Sequence, residues 1–157
     1  ANVAPWLCAA RDAGCEVAHI RMGPDTRLDL DDAKAKIDGR TRLVAVGAAS
    51  NVSGTIQPVA EIAALARHHG ALTFVDAVHS APHLRTSVAQ LGCDFLCCSA
   101  YKFFGPHLGV LWGRRPLLEE IDVDKVRPAP RHGAERWQTG TANFEGIAGT
   151  GAAIEHL

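Results

Sequence analysis

The stretch Ala-Leu-Thr-Phe-Val (71–75) is apolar at four of its five positions and is followed at once by Asp76. A second stretch of the same kind, Asp-Phe-Leu-Cys-Cys (94–98), runs directly into Ser99. Both stretches have the length of a strand, and segment 59–69, just before the first, carries apolar residues at helical spacing. Strands that are apolar at nearly every position are typical of a parallel sheet covered on both faces. The two stretches therefore favour the α/β class.

The same alternation of short apolar runs and helical patterns extends along the rest of the chain. Further strands are predicted at 15–21, 43–48 and 109–112, and helices at 3–13, 30–37, 59–69, 116–121 and 143–157. Segment 87–91 is predicted as a short crossover and 127–136 as irregular. We predict a doubly wound, mostly parallel sheet with helices on both faces.

Composition limits the function classes that the chain can belong to. It has 157 residues, of which 47% are hydrophobic, and a net charge of −1, which indicates one globular domain rather than a disordered or nucleic-acid-binding chain. It holds no run of 18 or more apolar residues, so we expect no membrane partner. The first residue is Ala rather than Met, which suggests a processed chain or a piece of a longer one.

The five cysteines are an odd number without the spacing of a disulfide framework. Free thiols are typical of a reducing compartment, so we expect the protein to be cytoplasmic. A zinc site built from Cys93, Cys97 and Cys98 is not favoured, because their spacing matches no known ligand pattern. Cys97 and Cys98 are interpreted as core residues of a buried strand, and no metal is predicted.

Polar residues follow the predicted strands at the points where ligands bind to open α/β sheets. They are Asn51, Asp76, His79, Ser99, Tyr101 and Lys102. Lys102 stands among aromatic residues, which favour a neutral, nucleophilic amine. A lysine that forms a Schiff base, opposite a carboxylate that keeps a pyridine nitrogen protonated, is what pyridoxal phosphate requires. Ser99 and the backbone N–H groups of its loop could hold the phosphate.

Each of these residues also has a simpler interpretation by itself. A lysine after a strand is usually a solvated charge, and an aspartate there is more often a turn or helix cap. His79 could be a structural histidine. The chain contains neither G-x-G-x-x-G nor a P-loop, which argues against nucleotide binding.

Four motifs in order distinguish these alternatives: ASNVSGT (49–55), FVDAVH (74–79), CSAYKFFGPH (98–107) and TGTAN (139–143). With them the sequence resembles the class V aminotransferase and cysteine desulfurase family of pyridoxal-phosphate enzymes of fold type I. The resemblance covers essentially the whole chain. Stretches 101–109, 125–130 and 143–149 look like a branch known only as desulfurase-like.

The resemblance implies a role for each site residue. It makes Lys102 the Schiff-base lysine and Asp76 the partner of the pyridine nitrogen, both of them catalytic together with His79. Asn51 and His79 would lie near the ring hydroxyl, and Ser99 and Tyr101 would bind the phosphate. Most desulfurases carry Gln at the position of His79 and His at that of Tyr101. Thr141 would reach the phosphate of a neighbouring subunit, which implies a homodimer with shared active sites.

The resemblance also implies a domain and a reaction. Residues 1–157 would form part of a cofactor-binding large domain, with 126–157 as a loop and helix leading toward a C-terminal small domain that is absent. The expected reaction is pyridoxal-phosphate-dependent elimination of sulfur or selenium from a small, cysteine-like amino acid. The alternatives are a class V aminotransferase acting on a small amino acid, and a truncated domain without catalytic activity.

Overall fold

The computed structural model describes residues 2–138 and 140–157, so Thr139 of the TGTAN motif lies outside the described residues. The helices are α1 (Ala4–Asp12), α2 (Leu30–Lys36), α3 (Val59–His68), α4 (Val88–Leu91), α5 (Arg115–Glu120) and α6 (Phe144–His156). The strands are β1 (Leu43–Gly47), β2 (Leu72–Asp76), β3 (Phe95–Ser99) and β4 (Gly109–Gly113). Two 3-10 turns, Ala100–Phe103 and Ala134–Trp137, complete the described elements.

The four strands form one mixed sheet in the order β1-β2-β3-β4. β1 pairs with β2 and β2 with β3 in parallel, whereas β4 runs antiparallel to β3. The connection 100–108 is too short for the crossover that a parallel neighbour needs, so β4 returns beside β3. The predicted α/β class and mostly parallel sheet are confirmed.

Both faces of the sheet are contacted by helical segments. On one face, Val46 and Val75 pack in the core cluster with Ile62 and Ala66 of α3, which are fully buried. On the other face, the Phe74 ring lies edge-on to Trp6 of α1, with ring centres 4.9 Å apart. The second face also carries Asp76 and Ser99, at the carboxyl ends of β2 and β3.

Asp94 fixes the opposite, amino-terminal edge of β2 and β3. Its buried carboxylate accepts a hydrogen bond from the Thr73 N–H (2.8 Å) and another from Nη1 of Arg114 (2.8 Å). Backbone bonds join the same residues, from the Asp94 N–H to the Thr73 carbonyl and from the Arg114 N–H to the Asp94 carbonyl, each 3.0 Å. These bonds hold the start of β3 to β2 and to the residue that follows β4. They help to fix the β2–β3 register, which places Asp76 opposite Cys97.

The predicted strand at 15–21 is wrong. The structure has no regular element at 15–21, and an isolated bridge joins Met22, just beyond it, to Leu28. Only Ile20 of this segment packs against the core, while Val17 is exposed, and the Arg21 N–H donates to the carboxylate of Asp32. The segment alternates like a strand but has no neighbouring strand to pair with, so it is irregular.

The segment predicted as irregular, 127–136, overlaps the 3-10 turn Ala134–Trp137, and side chains of this turn cap α5. The Arg136 guanidinium donates to the carbonyls of Glu119 (2.8 Å) and Ile121 (3.0 Å), and Nε1 of Trp137 donates to that of Leu118 (3.0 Å). The last carbonyls of a helix have no partner within the helix. These side chains satisfy them and so hold the segment in place.

Candidate functional site

Three parallel strands end at one edge of the sheet, and six of the seven predicted site residues lie there. β1 ends at Gly47, β2 at Asp76 and β3 at Ser99. The loops that follow carry Asn51, His79, Tyr101 and Lys102. Because the strands are parallel, their carboxyl ends meet at the same edge.

Asp76 and Ser99 share a face of the sheet. Asp76 pairs with Cys97 in the β2–β3 register, and Ser99 comes two positions after Cys97. Side chains two apart on a strand point to the same face. The turn that contains Lys102 begins directly after Ser99, so this lysine stands at the same strand end.

The backbone of Asp76 is held from both sides. Its carbonyl accepts the Ala48 N–H (2.8 Å), and the Ala77 N–H beyond it donates to the Cys97 carbonyl (2.8 Å). Its carboxylate is half-buried and accepts one bond, from the Val78 N–H to Oδ1 at 3.0 Å. Within the described ranges it forms no salt bridge. A fixed carboxylate without a cation is therefore present at the strand end.

A closed loop carries Lys102. The Ala100 N–H donates to the Leu108 carbonyl and the Gly105 N–H to the Ala100 carbonyl, both at 2.9 Å. A Cβ added at Gly105 would lie 2.9 Å from that carbonyl oxygen, so only glycine fits. Phe104 before it is left-handed, with φ of 66°. These two residues turn the chain back toward β4.

Lys102 is exposed, and of the four lysines it alone forms neither a hydrogen bond nor an ion pair with the residues that the structure describes. Its Nζ lies 5.2 Å from the centre of the Tyr101 ring. The expected enclosure by aromatic neighbours is wrong, because Phe103 is buried away from solvent and Phe104 is 80% exposed. The amine is free to react but is not enclosed.

Cys97 is a neighbour of the site that the sequence analysis assigned to the core. It is half-buried on the face that carries Asp76, whereas Cys98 points to the other face. Burial and the adjacent negative charge of Asp76 raise the pKa of the Cys97 thiol to about 11. At neutral pH the group is thus a neutral thiol rather than a nucleophilic thiolate. The period of two along β3, counted back from Ser99, could have placed it at the site.

Fewer observed contacts connect the remaining predicted residues, Asn51, His79 and Thr141, to the rest of the site. His79 is half-buried in the turn after β2, and Asn51 is exposed in a turn where the Ser50 hydroxyl accepts the N–H groups of Val52 and Ser53 (3.2 Å each). Thr141 is exposed ahead of α6, and among the described residues no hydrogen bond or ion pair joins it to the other six. Six of the seven residues therefore lie at or just after the carboxyl ends of β1, β2 and β3, and Thr141 does not.

His107 is a second residue that the sequence analysis did not single out. Its ring stacks on that of Tyr101, with centres 5.0 Å apart and planes 14° apart. No sequence pattern indicates this contact, because it depends on closure of the 100–108 loop.

Over the described ranges, no group of three or more His, Cys, Asp or Glu side chains could hold a metal ion. In the same ranges, no helix is both long and apolar enough to span a bilayer.

Comparison with known proteins gives one consistent result. The family model described as aminotransferase class-V matches residues 1–157. A probable cysteine desulfurase from Halalkalibacterium halodurans is 36% identical over 168 residues, which cover 99% of this chain and 41% of that protein. A cysteine desulfurase from Klebsiella pneumoniae is 37% identical over 170 residues, covering 100% of this chain and 42% of that protein.

Solved structures show the same relationship. The apo structure of a cysteine desulfurase from Thermococcus onnurineus superposes with a TM-score of 0.86 at 32% identity, covering 98% of this chain and 42% of that one. A cysteine desulfurase from Escherichia coli gives a TM-score of 0.89 at 30% identity, covering 99% of this chain and 42% of that one. The present chain thus spans about two fifths of the length of the relatives it matches.

Proposed function

This chain belongs to the aminotransferase class-V family, and from that premise we propose that it binds pyridoxal 5'-phosphate at the carboxyl ends of β1, β2 and β3. The observation that carries the proposal is the combination of Asp76, a fixed carboxylate without a cation, and Lys102, an amine without a partner among the described residues. These are the two groups that the cofactor's ring nitrogen and aldehyde require. The chemistry of the residues present therefore fits the cofactor.

Each residue has a proposed role toward that group. The Lys102 amine would hold the aldehyde carbon, and the Asp76 carboxylate would keep a proton on the ring nitrogen. The Ser99 hydroxyl and Tyr101 would contact the phosphate. When bound, the cofactor supplies an electron sink for the pair left on a substrate's α-carbon. Asp76 strengthens that sink because a protonated ring withdraws electrons more strongly.

The proposed roles of three further residues follow the resemblance rather than direct contacts. Asn51 and His79 would lie near the ring hydroxyl, a placement that their position at the same sheet edge supports. Thr141 would serve the phosphate of a second subunit, a role for which its exposed position ahead of α6 leaves it free.

The proposed reaction is that of a cysteine desulfurase, elimination of sulfur or selenium from a cysteine-like amino acid. The names of the relatives support it. Because the chain spans 42% of such a relative, the activity is proposed for a protein with the further segments that the relatives have. Cys97 is not proposed as the sulfur acceptor, since its raised pKa keeps the thiol protonated.

The family model itself favours a second candidate, transamination of a small amino acid. Both reactions use every residue described above. Sulfide release from cysteine would support the desulfurase, and 2-oxo-acid formation in step with a consumed amino acceptor would support the aminotransferase.

We also propose a homodimer in a reducing compartment, the cytoplasm. Helix α6 leaves Phe144, Ile147, Ile154 and Leu157 between 48% and 73% exposed, which supports contact with a second copy. The five cysteines are free, as expected of a reducing compartment. Light scattering over a dilution series tests the assembly: a dimer is expected, and a monomer at all concentrations would contradict it.

The cofactor proposal is tested by titrating the chain with pyridoxal 5'-phosphate and recording its visible absorbance. A band that shifts on binding and disappears with borohydride is expected for the natural chain and for Lys125→Ala. Lys102→Ala should lack the band. A natural chain that gives no band at saturating cofactor would favour the third possibility, a domain without catalytic activity.

A further inference from the structure

Within residues 2–138 and 140–157, the amine of Lys102 has one neighbour that can stabilise it, the ring of Tyr101 at 5.2 Å. The face of an aromatic ring attracts a cation that lies over it within about 6 Å of the ring centre. Lys34 and Lys36, in contrast, are paired with the carboxylates of Asp31 and Asp32. The orientation of the Lys102 amine therefore depends on what fixes the Tyr101 ring.

His107 is the side chain that lies against this ring. Its imidazole is nearly parallel to the phenol, at 14°, with the ring centres 5.0 Å apart. Tyr101 is 45% exposed, so the described fold does not immobilise its ring by burial. The stack with His107 restricts the ring plane instead.

His107 is itself held by the backbone. The Leu108 N–H donates to the Pro106 carbonyl at 2.8 Å, which closes a tight turn centred on His107. Pro106 packs against α6, since a Cβ added at Gly149 would lie 3.4 Å from its ring carbons. A chain of contacts thus runs from α6 through Pro106 and His107 to Tyr101.

We propose that His107 is a positioning residue for Lys102, acting through the Tyr101 ring that it holds in place. The inference rests on the proposed function in one respect, that Lys102 is the reactive amine. His107 touches neither the amine nor the reacting atoms in this account. Its effect is on where the amine lies.

The test compares acetylation of the four lysines by a trace of acetic anhydride, without cofactor, followed by peptide mass spectrometry. The Tyr101 ring covers the amine from one side, so removing or releasing the ring opens the amine to the reagent. Tyr101→Ala should therefore raise the Lys102 rate, relative to that of Lys34, by about two- to fivefold. His107→Ala and His107→Gln should raise it by about twofold, because the ring stays but is no longer held.

Two variants serve as matched controls. His107→Phe keeps a flat ring beside Tyr101, and His156→Ala removes a histidine that contacts Phe104 of the same loop, with ring centres 6.0 Å apart. Both should leave the rate ratio as in the natural chain. The acetylation rates of Lys102 and Lys34 are measured in the same sample. A general loosening of the fold would change both rates and would therefore not imitate the result. His107→Gln keeps the test valid if the alanine variant does not fold.

A second arm separates this inference from the proposed function. The same variants are titrated with pyridoxal 5'-phosphate, where His107→Ala should slow the appearance of the absorbance band. If acetylation responds as expected but no variant gives a band, the inference holds and the cofactor proposal fails. If Tyr101→Ala and His107→Ala both leave the Lys102 ratio unchanged, or His107→Phe changes it as much as His107→Ala, the inference is overturned, whatever the cofactor does.

Discussion

Asp76 and Cys97 lie opposite each other in the parallel pair β2–β3, with their side chains on the same face of the sheet. Burial raises the pKa of the Cys97 thiol, and the adjacent carboxylate of Asp76 raises it further, to about 11. At neutral pH the sulfur beside this carboxylate is thus a neutral thiol. This arrangement leaves the negative charge of Asp76 available for a cation.

The pairing predicts slow alkylation of Cys97. With a pKa of about 11, its thiolate fraction at pH 7 is roughly 100-fold below that of an ordinary thiol, and the greater nucleophilicity of a more basic thiolate recovers about tenfold of this. Iodoacetamide should therefore modify Cys97 about tenfold more slowly than the exposed Cys8 and Cys15. Asp76→Asn should speed the reaction, because it removes one of the two causes. Equal rates at all three cysteines would contradict this description of the site.

Asp76→Asn should lower turnover of the holoenzyme by about 100-fold or more, and cofactor occupancy far less. The amide cannot keep the ring nitrogen protonated, whereas the Lys102 and phosphate contacts are unchanged. Steady-state rates and absorbance at saturating cofactor measure the two effects. Asp31→Asn, an exposed carboxylate on α2, is the matched control. Near-normal turnover of Asp76→Asn would show that this carboxylate is only structural.

Asp32 should make stability depend on pH in the acid range. Hydrogen bonds from Lys36 and the Arg21 backbone lower its pKa below the ordinary 3.8. A carboxylate with a depressed folded pKa stabilises the fold above its unfolded pKa, and this contribution is lost as pH falls through the folded value. Asp32→Asn should therefore flatten the dependence of unfolding free energy on pH below about pH 4, and Asp31→Asn should not. Parallel curves for Asp32→Asn and the natural chain would disprove the role.

Asp94→Ala should destabilise the fold by about 2–3 kcal/mol in urea unfolding. The change leaves the Thr73 N–H without its acceptor and Arg114 without its partner. Asp94→Asn keeps an oxygen for the Thr73 N–H and should lose less. If the two variants are equally stable, the buried hydrogen bond is not what Asp94 contributes.

The sequence could predict those features that depend on local pattern. Strands β1, β2 and β3 were predictable because their apolar runs match buried parallel strands, and the positions of Asp76 and Lys102 followed from where those runs end. The antiparallel direction of β4 depends on the short 100–108 connection, not on its own residues. The segment 15–21 has a strand pattern but no partner strand in the described fold. The period of two from Ser99 could have placed Cys97 on the face of the site, but its pairing with Asp76 depends on sheet register. His107 could not be assigned, because it meets Tyr101 only through loop closure.

The central claim is that Lys102 is the amine that holds pyridoxal 5'-phosphate. Borohydride reduction of the loaded chain fixes the cofactor to whichever amine carries it, and peptide mass spectrometry then identifies that residue. We predict the pyridoxyl group on Lys102 and not on Lys34, Lys36 or Lys125. A label on another lysine, or one spread evenly over all four, would contradict the account.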